Sequence, residues 1–124
     1  MVKRLFFEYY ADDFRMIYEQ NKSFLWDINL SFLECCLNLL DESPKYKLSD
    51  KYVDLSDSPE YLNLRSSIHP KKKSDLNGLF DIPSYQQVFG KAFVSNLSII
   101  DLIFCEGPNA NFVLKQSLNI SPTK

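Results

Sequence analysis

The stretch FLWDINLSFLECCLNLL, residues 24–40, decides how this chain folds. Its apolar residues Leu25, Ile28, Phe32, Leu33, Cys36, Leu37 and Leu40 recur at the three- and four-residue spacing that gathers side chains on one face of an α-helix. Ser23 stands where an N-cap would, since its hydroxyl can accept from an otherwise unpaired backbone N–H of the first turn. Asp41-Glu42-Ser43-Pro44 marks the far end, because Pro44 cannot continue a helix. Upstream, residues 5–20 set Phe6, Tyr10, Phe14, Ile17 and Tyr18 at the same spacing, with Glu8, Asp12, Asp13, Arg15 and Glu19 on the other faces. This is a second amphipathic helix, which Asn21-Lys22 ends. A connection that short favours antiparallel neighbours packed face to face.

Downstream the pattern weakens and then returns. Tyr46, Leu48, Tyr52 and Val53 could make a short strand, although no partner strand is evident and a lone strand is unstable. Ser58-Pro59-Glu60 has the form of a helix start, with Tyr61, Leu62 and Leu64 giving one or two turns before Pro70. Residues 74–84 carry Asn77-Gly78 and Pro83 and read as a loop. Tyr85-Gln86-Gln87-Val88-Phe89 fits one helical turn or an extended piece, and Gly90-Lys91 turns the chain. A third helix follows from about Leu97 to Glu106, with Ser95 and Asn96 as competing caps and Leu97, Ile100, Ile103 and Phe104 on one face. Gly107 is placed to cap its C-terminus and Pro108 to open a last helix through Phe112, Val113 and Leu114. Residues 117–124 are expected to fray. The expectation is a mainly α single domain over residues 1–124: two long antiparallel helices, a C-terminal helix pair and an irregular middle segment.

Composition narrows the function classes. The chain has 124 residues, 45% of them hydrophobic and 24% charged. Those values exclude wholesale disorder, and the length allows one domain that buries about two-thirds of its unfolded surface. Fourteen Lys and Arg against sixteen Asp and Glu give a net charge of −2, which argues against nucleic acid, whose phosphates need a basic footprint. Neither a secretory signal nor an apolar run of membrane-spanning length is evident, so a cytoplasmic location is expected. The three cysteines are expected to be reduced and packed. The one histidine, His69, has no cysteine beside it, so no metal site is expected. With three glycines in all, a glycine-rich phosphate loop is excluded.

What chemistry the residues offer is concentrated in two places. Charge switches sign in the middle of the chain: residues 41–60 sum to −3, and residues 61–73 to +4. The basic part, Arg65-Ser66-Ser67-Ile68-His69-Pro70-Lys71-Lys72-Lys73, can be read as an anion site. There Arg65 grips a phosphate or carboxylate, Lys71 and Lys72 supply field, and His69 carries a proton near neutral pH. The alternative, and the commoner fate of three lysines before a loop, is a solvated surface. Tyr85, Gln86 and Gln87 offer groups to orient a polar ligand, or Tyr85 packs while the glutamines face water. Asn96 and Asp101 could line a site at a helix start, or Asn96 is simply a cap.

Several stretches together resemble the WbqC-like family of bacterial proteins. They are FFEYYADDF at residues 6–14, SIHPKK at 67–72, YQQVF at 85–89, NLSIIDLIF at 96–104 and EGP at 106–108. The resemblance implies a setting among genes for surface polysaccharide, including O-antigen, and transfer of an amino-acyl or similar small group, glycine for example, to a sugar. It implies a sugar nucleotide or acyl donor as ligand, a role for His69 as the catalytic group, and Arg65, Lys71, Lys72, Tyr85, Gln86 and Asn96 as ligand-binding residues. It names no cofactor. The chain resembles only the C-terminal part of the family: the strand-rich N-terminal half, with its His-Gln-Pro-like opening, has no counterpart here. The family's link corresponding to Lys91–Ser95 is also longer, with Pro at Ser95. A partner polypeptide would then supply the missing half. The alternative reading is a truncated, non-catalytic helical module that binds a partner protein through its aromatic first helix.

Overall fold

The computed structural model describes residues 6–56, 60–65, 67–69, 71, 80–87, 92–95 and 97–118. The elements run α1 (Phe7–Glu19), α2 (Leu25–Leu39), α3 (Ile99–Glu106), a single 3-10 turn (Gly107–Asn109) and α4 (Ala110–Gln116). The architecture is mainly α, as expected, with the two longest helices first and a helix pair at the C-terminal end.

α1 and α2 meet through their aromatic and sulfur-bearing faces. Phe32 stacks on Phe14 at 6.0 Å between ring centroids and meets Tyr18 edge-on at 5.2 Å. Farther from the connection, Asp13 of α1 acts on the Cys35 thiol of α2. Residues later in one helix thus face residues earlier in the other, which is antiparallel packing. α3 closes the layer: Phe104 lies edge-on to both Phe7 and Phe14, at 5.2 and 5.4 Å. Tyr10, Phe14, Cys36, Leu40, Leu102, Ile103, Ala110 and Val113 form one buried core, with Ile103 wholly excluded from solvent.

The helix starts depart from the expected ones, while the ends fall where expected. Phe24, in extended conformation, occupies the N-cap of α2, so Ser23 is not the cap. α2 ends where expected, with Leu40 as its C-cap ahead of Asp41-Glu42-Ser43-Pro44. Asp41 adopts a left-handed conformation (φ 58°), its N–H donates to the Asn38 carbonyl at 3.1 Å and that of Glu42 to Leu37 at 2.9 Å. This paired closure satisfies carbonyls the helix itself leaves open. Asn21 ends α1 in the same left-handed region (φ 48°). The cap of α3 is Ser98, whose hydroxyl accepts from the Ile100 N–H at 3.2 Å. Ser95 lies outside the helix, and Asn96 outside the described residues. α3 therefore begins two residues later than expected. Gly107 ends it as expected, with φ 55°.

The middle segment is irregular. Tyr46, Leu48, Tyr52 and Val53 form no strand, and Tyr61, Leu62 and Leu64 form no helical turns. All seven are exposed, so neither conformation would gain the burial that sustains short elements. The expected start at Ser58-Pro59 lies outside the described residues, as do the loop signal Asn77-Gly78, Val88-Phe89, Gly90-Lys91 and residues 119–124. Local contacts hold the described part: Tyr46 donates to Glu34 of α2 at 2.8 Å, and the Arg65 guanidinium lies 4.5 Å over the Tyr52 ring. At the C-terminal end, Ser117 and Leu118 are held rather than frayed. Ser117 is buried, Leu118 forms an isolated antiparallel bridge with Phe80, and the Asp81 N–H donates to the Ser117 carbonyl at 2.8 Å.

α4 is tied to the end of α2 by polar contacts. Asn111 donates to the Leu40 carbonyl at 2.7 Å and to Glu42 at 3.0 Å, and Lys115 pairs with Glu42 at 3.2 Å. A cation and an amide here meet the negative end of α2. These contacts also hold the Glu42 carboxyl below its ordinary range, the Asn111 hydrogen bond first and Lys115 after it.

Candidate functional site

The polar centre of the molecule is built on Asp101, in the first turn of α3. An acid is favoured there by the partial positive charge of the helix N-terminus. Its Oδ2 accepts from the Tyr85 hydroxyl at 2.6 Å and from Gln87 Nε2 at 3.4 Å. Its Oδ1 accepts from the Cys105 thiol, one turn along the same helix, at 3.8 Å. Burial, and then the carboxylate of Asp101, push the Tyr85 hydroxyl up to about 12. Tyr85 thus keeps its proton at neutral pH and serves as a hydrogen-bond donor to Asp101.

Gln87 does more than touch Asp101. Its amide nitrogen donates to the Val94 carbonyl at 2.7 Å while its oxygen accepts from the Val94 N–H at 2.9 Å. One buried side chain closes both backbone groups of a residue seven positions along, much as a neighbouring strand would. The Tyr85 ring packs edge-on to Phe93 at 5.1 Å, so the clamp and the ring contact together bring the 92–95 stretch back against 85–87.

Beside this network opens a cleft of about 480 Å³, a size typical of small-molecule sites. Phe80 to Pro83 and Tyr85 form one side, and Ser98, Ile99 and Leu102 of α3 with Val113 and Leu114 of α4 the other. Phe80, which lines the cleft, is also bridged to Leu118.

The residues picked out from the sequence fall in different places. Tyr85 lines the cleft. Gln86 is exposed, and its neighbour Gln87 is the buried, bonded glutamine. Nothing local in the sequence distinguishes Gln87 from Gln86. Arg65 is engaged locally, donating to the Val53 carbonyl at 2.6 Å beside its contact with Tyr52. His69 is exposed, and its Nδ1 accepts from the Lys71 N–H at 3.1 Å, which places any ring proton of the neutral imidazole on Nε2. Ile68, next to it, reaches the cleft. Lys71 is exposed. Lys72 and Asn96 lie outside the described residues.

The cysteines hold no nucleophile on α2. Burial pushes Cys36 up to about 11 and raises Cys35 as well, so both stay thiols near neutral pH. Among the described residues no group of three or more His, Cys, Asp and Glu could hold a metal ion, and no helix is long and apolar enough to cross a membrane.

Residues 77–112 match the model of the WbqC-like protein family. The matched segment contains Tyr85, Gln87, Val94 and Asp101, hence the whole hydrogen-bonded centre. It also supplies eleven of the fifteen residues that line the cleft, the other four being Ile68, Val113, Leu114 and Ser117. The WbqC-like match does not extend to residues 6–14 or 67–72, where the sequence resemblance had also been read. No curated protein and no solved structure matches the chain.

Proposed function

We propose that this WbqC-like chain acts in the synthesis of a bacterial surface polysaccharide such as O-antigen, as part of a transferase that places an amino-acyl or similar small group on a sugar. The observation that carries the reading is the coincidence of the cleft with the family-matched segment. In this reading the cleft holds the group to be transferred. Arg65, Lys71 and Lys72 receive the anionic end of a sugar nucleotide or acyl donor, Tyr85, Gln86 and Asn96 orient it, and His69 moves the proton. Ile68 links the two regions, because it lines the cleft while its neighbour His69 stands on the exposed basic stretch.

The test is calorimetric titration of the chain with nucleotide sugars and acyl donors. Arg65→Ala and His69→Ala should lose binding while keeping the wild-type helical circular dichroism. Binding that is unchanged in both variants, with the fold intact, overturns this assignment of the basic stretch.

The second reading is a helical module that binds a partner protein. It draws on Phe24, Leu25 and Trp26, three consecutive large apolar residues that are 69%, 71% and 60% exposed at the start of α2, and on Tyr9 and Tyr18 of α1, also exposed. Exposed large apolar side chains that gather into a patch mark interfaces. A monodisperse monomer by light scattering that fails to bind a hydrophobic dye would count against it.

A further inference from the structure

We propose that the cleft selects a ligand with an apolar body and a single cationic head, such as a primary ammonium. The proposal rests on the reading of this cleft as the ligand site and specifies its ligand. Ten of the fifteen lining residues are apolar, so the body of a bound molecule gains by leaving water. The formal charge on the described lining is negative: it comes from Asp81, and no Lys, Arg or His is among these residues. Asp81 is held in place at the backbone, where its N–H donates to the Ser117 carbonyl at 2.8 Å, while its side chain remains exposed.

On the described lining itself, the feature that would attract an anion is already compensated. The N-terminus of α3 borders the cleft, but its first turn contains Asp101, and the Ser98 hydroxyl accepts the Ile100 N–H. Asp101 sits one side chain behind the wall, bonded to the Tyr85 hydroxyl that lines it. Two carboxylates therefore act on the cleft from the described residues. A carboxylate or phosphate head would meet repulsion there, and an ammonium would be attracted.

Three matched probes test this: phenethylamine, phenethyl alcohol and phenylacetate, which share an aromatic body and differ in the charge of the head. Binding is read from backbone amide shifts of Ile99 and Leu102 in the full chain near pH 7. The amine should bind up to about fivefold more tightly than the alcohol, the upper range for one solvent-accessible ion pair, with phenylacetate weakest. Asp81→Asn, a change at an exposed side chain, should reduce the preference for amine over alcohol to the part that Asp101 supplies from behind the wall, while leaving the alcohol's own affinity unchanged. Equal binding of all three probes, tighter binding of phenylacetate, no shifts at millimolar probe, or a preference undiminished in Asp81→Asn would each overturn the proposal. The probes contain neither sugar nor phosphate. Failure to bind sugar nucleotides would thus leave this result standing, and a reversed order of the probes would leave the sugar-nucleotide test standing.

Discussion

Replacing Gln87 by Glu changes almost no volume and separates the chemistry of its clamp from mere packing. In the native protein the Gln87 amide donates to the Val94 carbonyl at 2.7 Å and accepts from the Val94 N–H at 2.9 Å. A protonated carboxyl can reproduce both contacts. An ionised one keeps the acceptor but turns a second oxygen towards the Val94 carbonyl and towards Asp101, whose Oδ2 lies 3.4 Å from the native amide nitrogen. Burial and the neighbouring carboxylate both disfavour that charge, so the introduced carboxyl has a folded pKa above its unfolded value of about 4.3. The sign follows directly. Stability is fully present below the unfolded pKa and is lost as pH rises through the folded pKa. A rise of ~1.5 pKa units corresponds to about 2 kcal/mol lost by pH 7. With a usual unfolding entropy per residue, that lowers Tm by about 8 °C for a chain of this length. Gln87→Ala removes both bonds and costs about 2 kcal/mol at any pH, at a net value of ~1 kcal/mol per bond. Thermal unfolding followed by circular dichroism near pH 4 and pH 7 checks both variants, with Gln86→Glu at the exposed neighbouring position as control. The reasoning is refuted if the melting of Gln87→Glu tracks the wild type across this range, or if Gln86→Glu shows the same pH dependence.

Three further outcomes follow from the packing and the titrating groups. Tyr85 is pushed up to about 12, against an ordinary 10.0. Its contribution to stability should therefore be complete below about pH 10 and lost as pH rises towards 12, and Tyr85→Phe should remove one of the latest steps from an ultraviolet phenolate titration. Glu42 is held below its ordinary 4.5 by Asn111 and Lys115. Its stabilisation is present above 4.5 and disappears as pH falls through the folded value, so Glu42→Gln should flatten the acid side of a plot of urea midpoint against pH. A methyl added at Gly107 would lie 2.5 Å from the Phe6 ring at a φ of 55°. Gly107→Ala should cost at least ~1 kcal/mol in chemical denaturation, and Phe6→Ala in the same chain should recover the clash but not the backbone strain.

The fold was largely legible because helix formation here is a local matter. The spacing of Phe14 and Ile17 in α1, Phe32 and Cys36 in α2 and Ile103 in α3 identifies faces that do enter the core or pack against it. Asn21 and Gly107 stop helices where the sequence places a helix end, each with a positive φ. The misread boundaries share a cause: Ser23, Ser95 and Asn96 are all competent caps, and no local rule chooses among neighbours of equal chemistry. The helical turns expected at Tyr61–Leu64 need a surface to bury against, and those residues are exposed.

The sequence by itself determined that the chain would form a small helical domain, since periodicity, caps and turn residues act within a few positions. It also determined which residue types could do chemistry. Only the tertiary structure decided which of them meet. Gln87 was chosen over Gln86 by Val94, seven positions away, and Tyr85 was joined to Asp101 across sixteen positions. Arg65 was set against Val53 and Tyr52, with Nη1 engaged by the Val53 carbonyl. The physical reason is that a hydrogen bond is won by whichever partner the fold brings within about 3 Å at the right angle. That geometry depends on how distant helices pack.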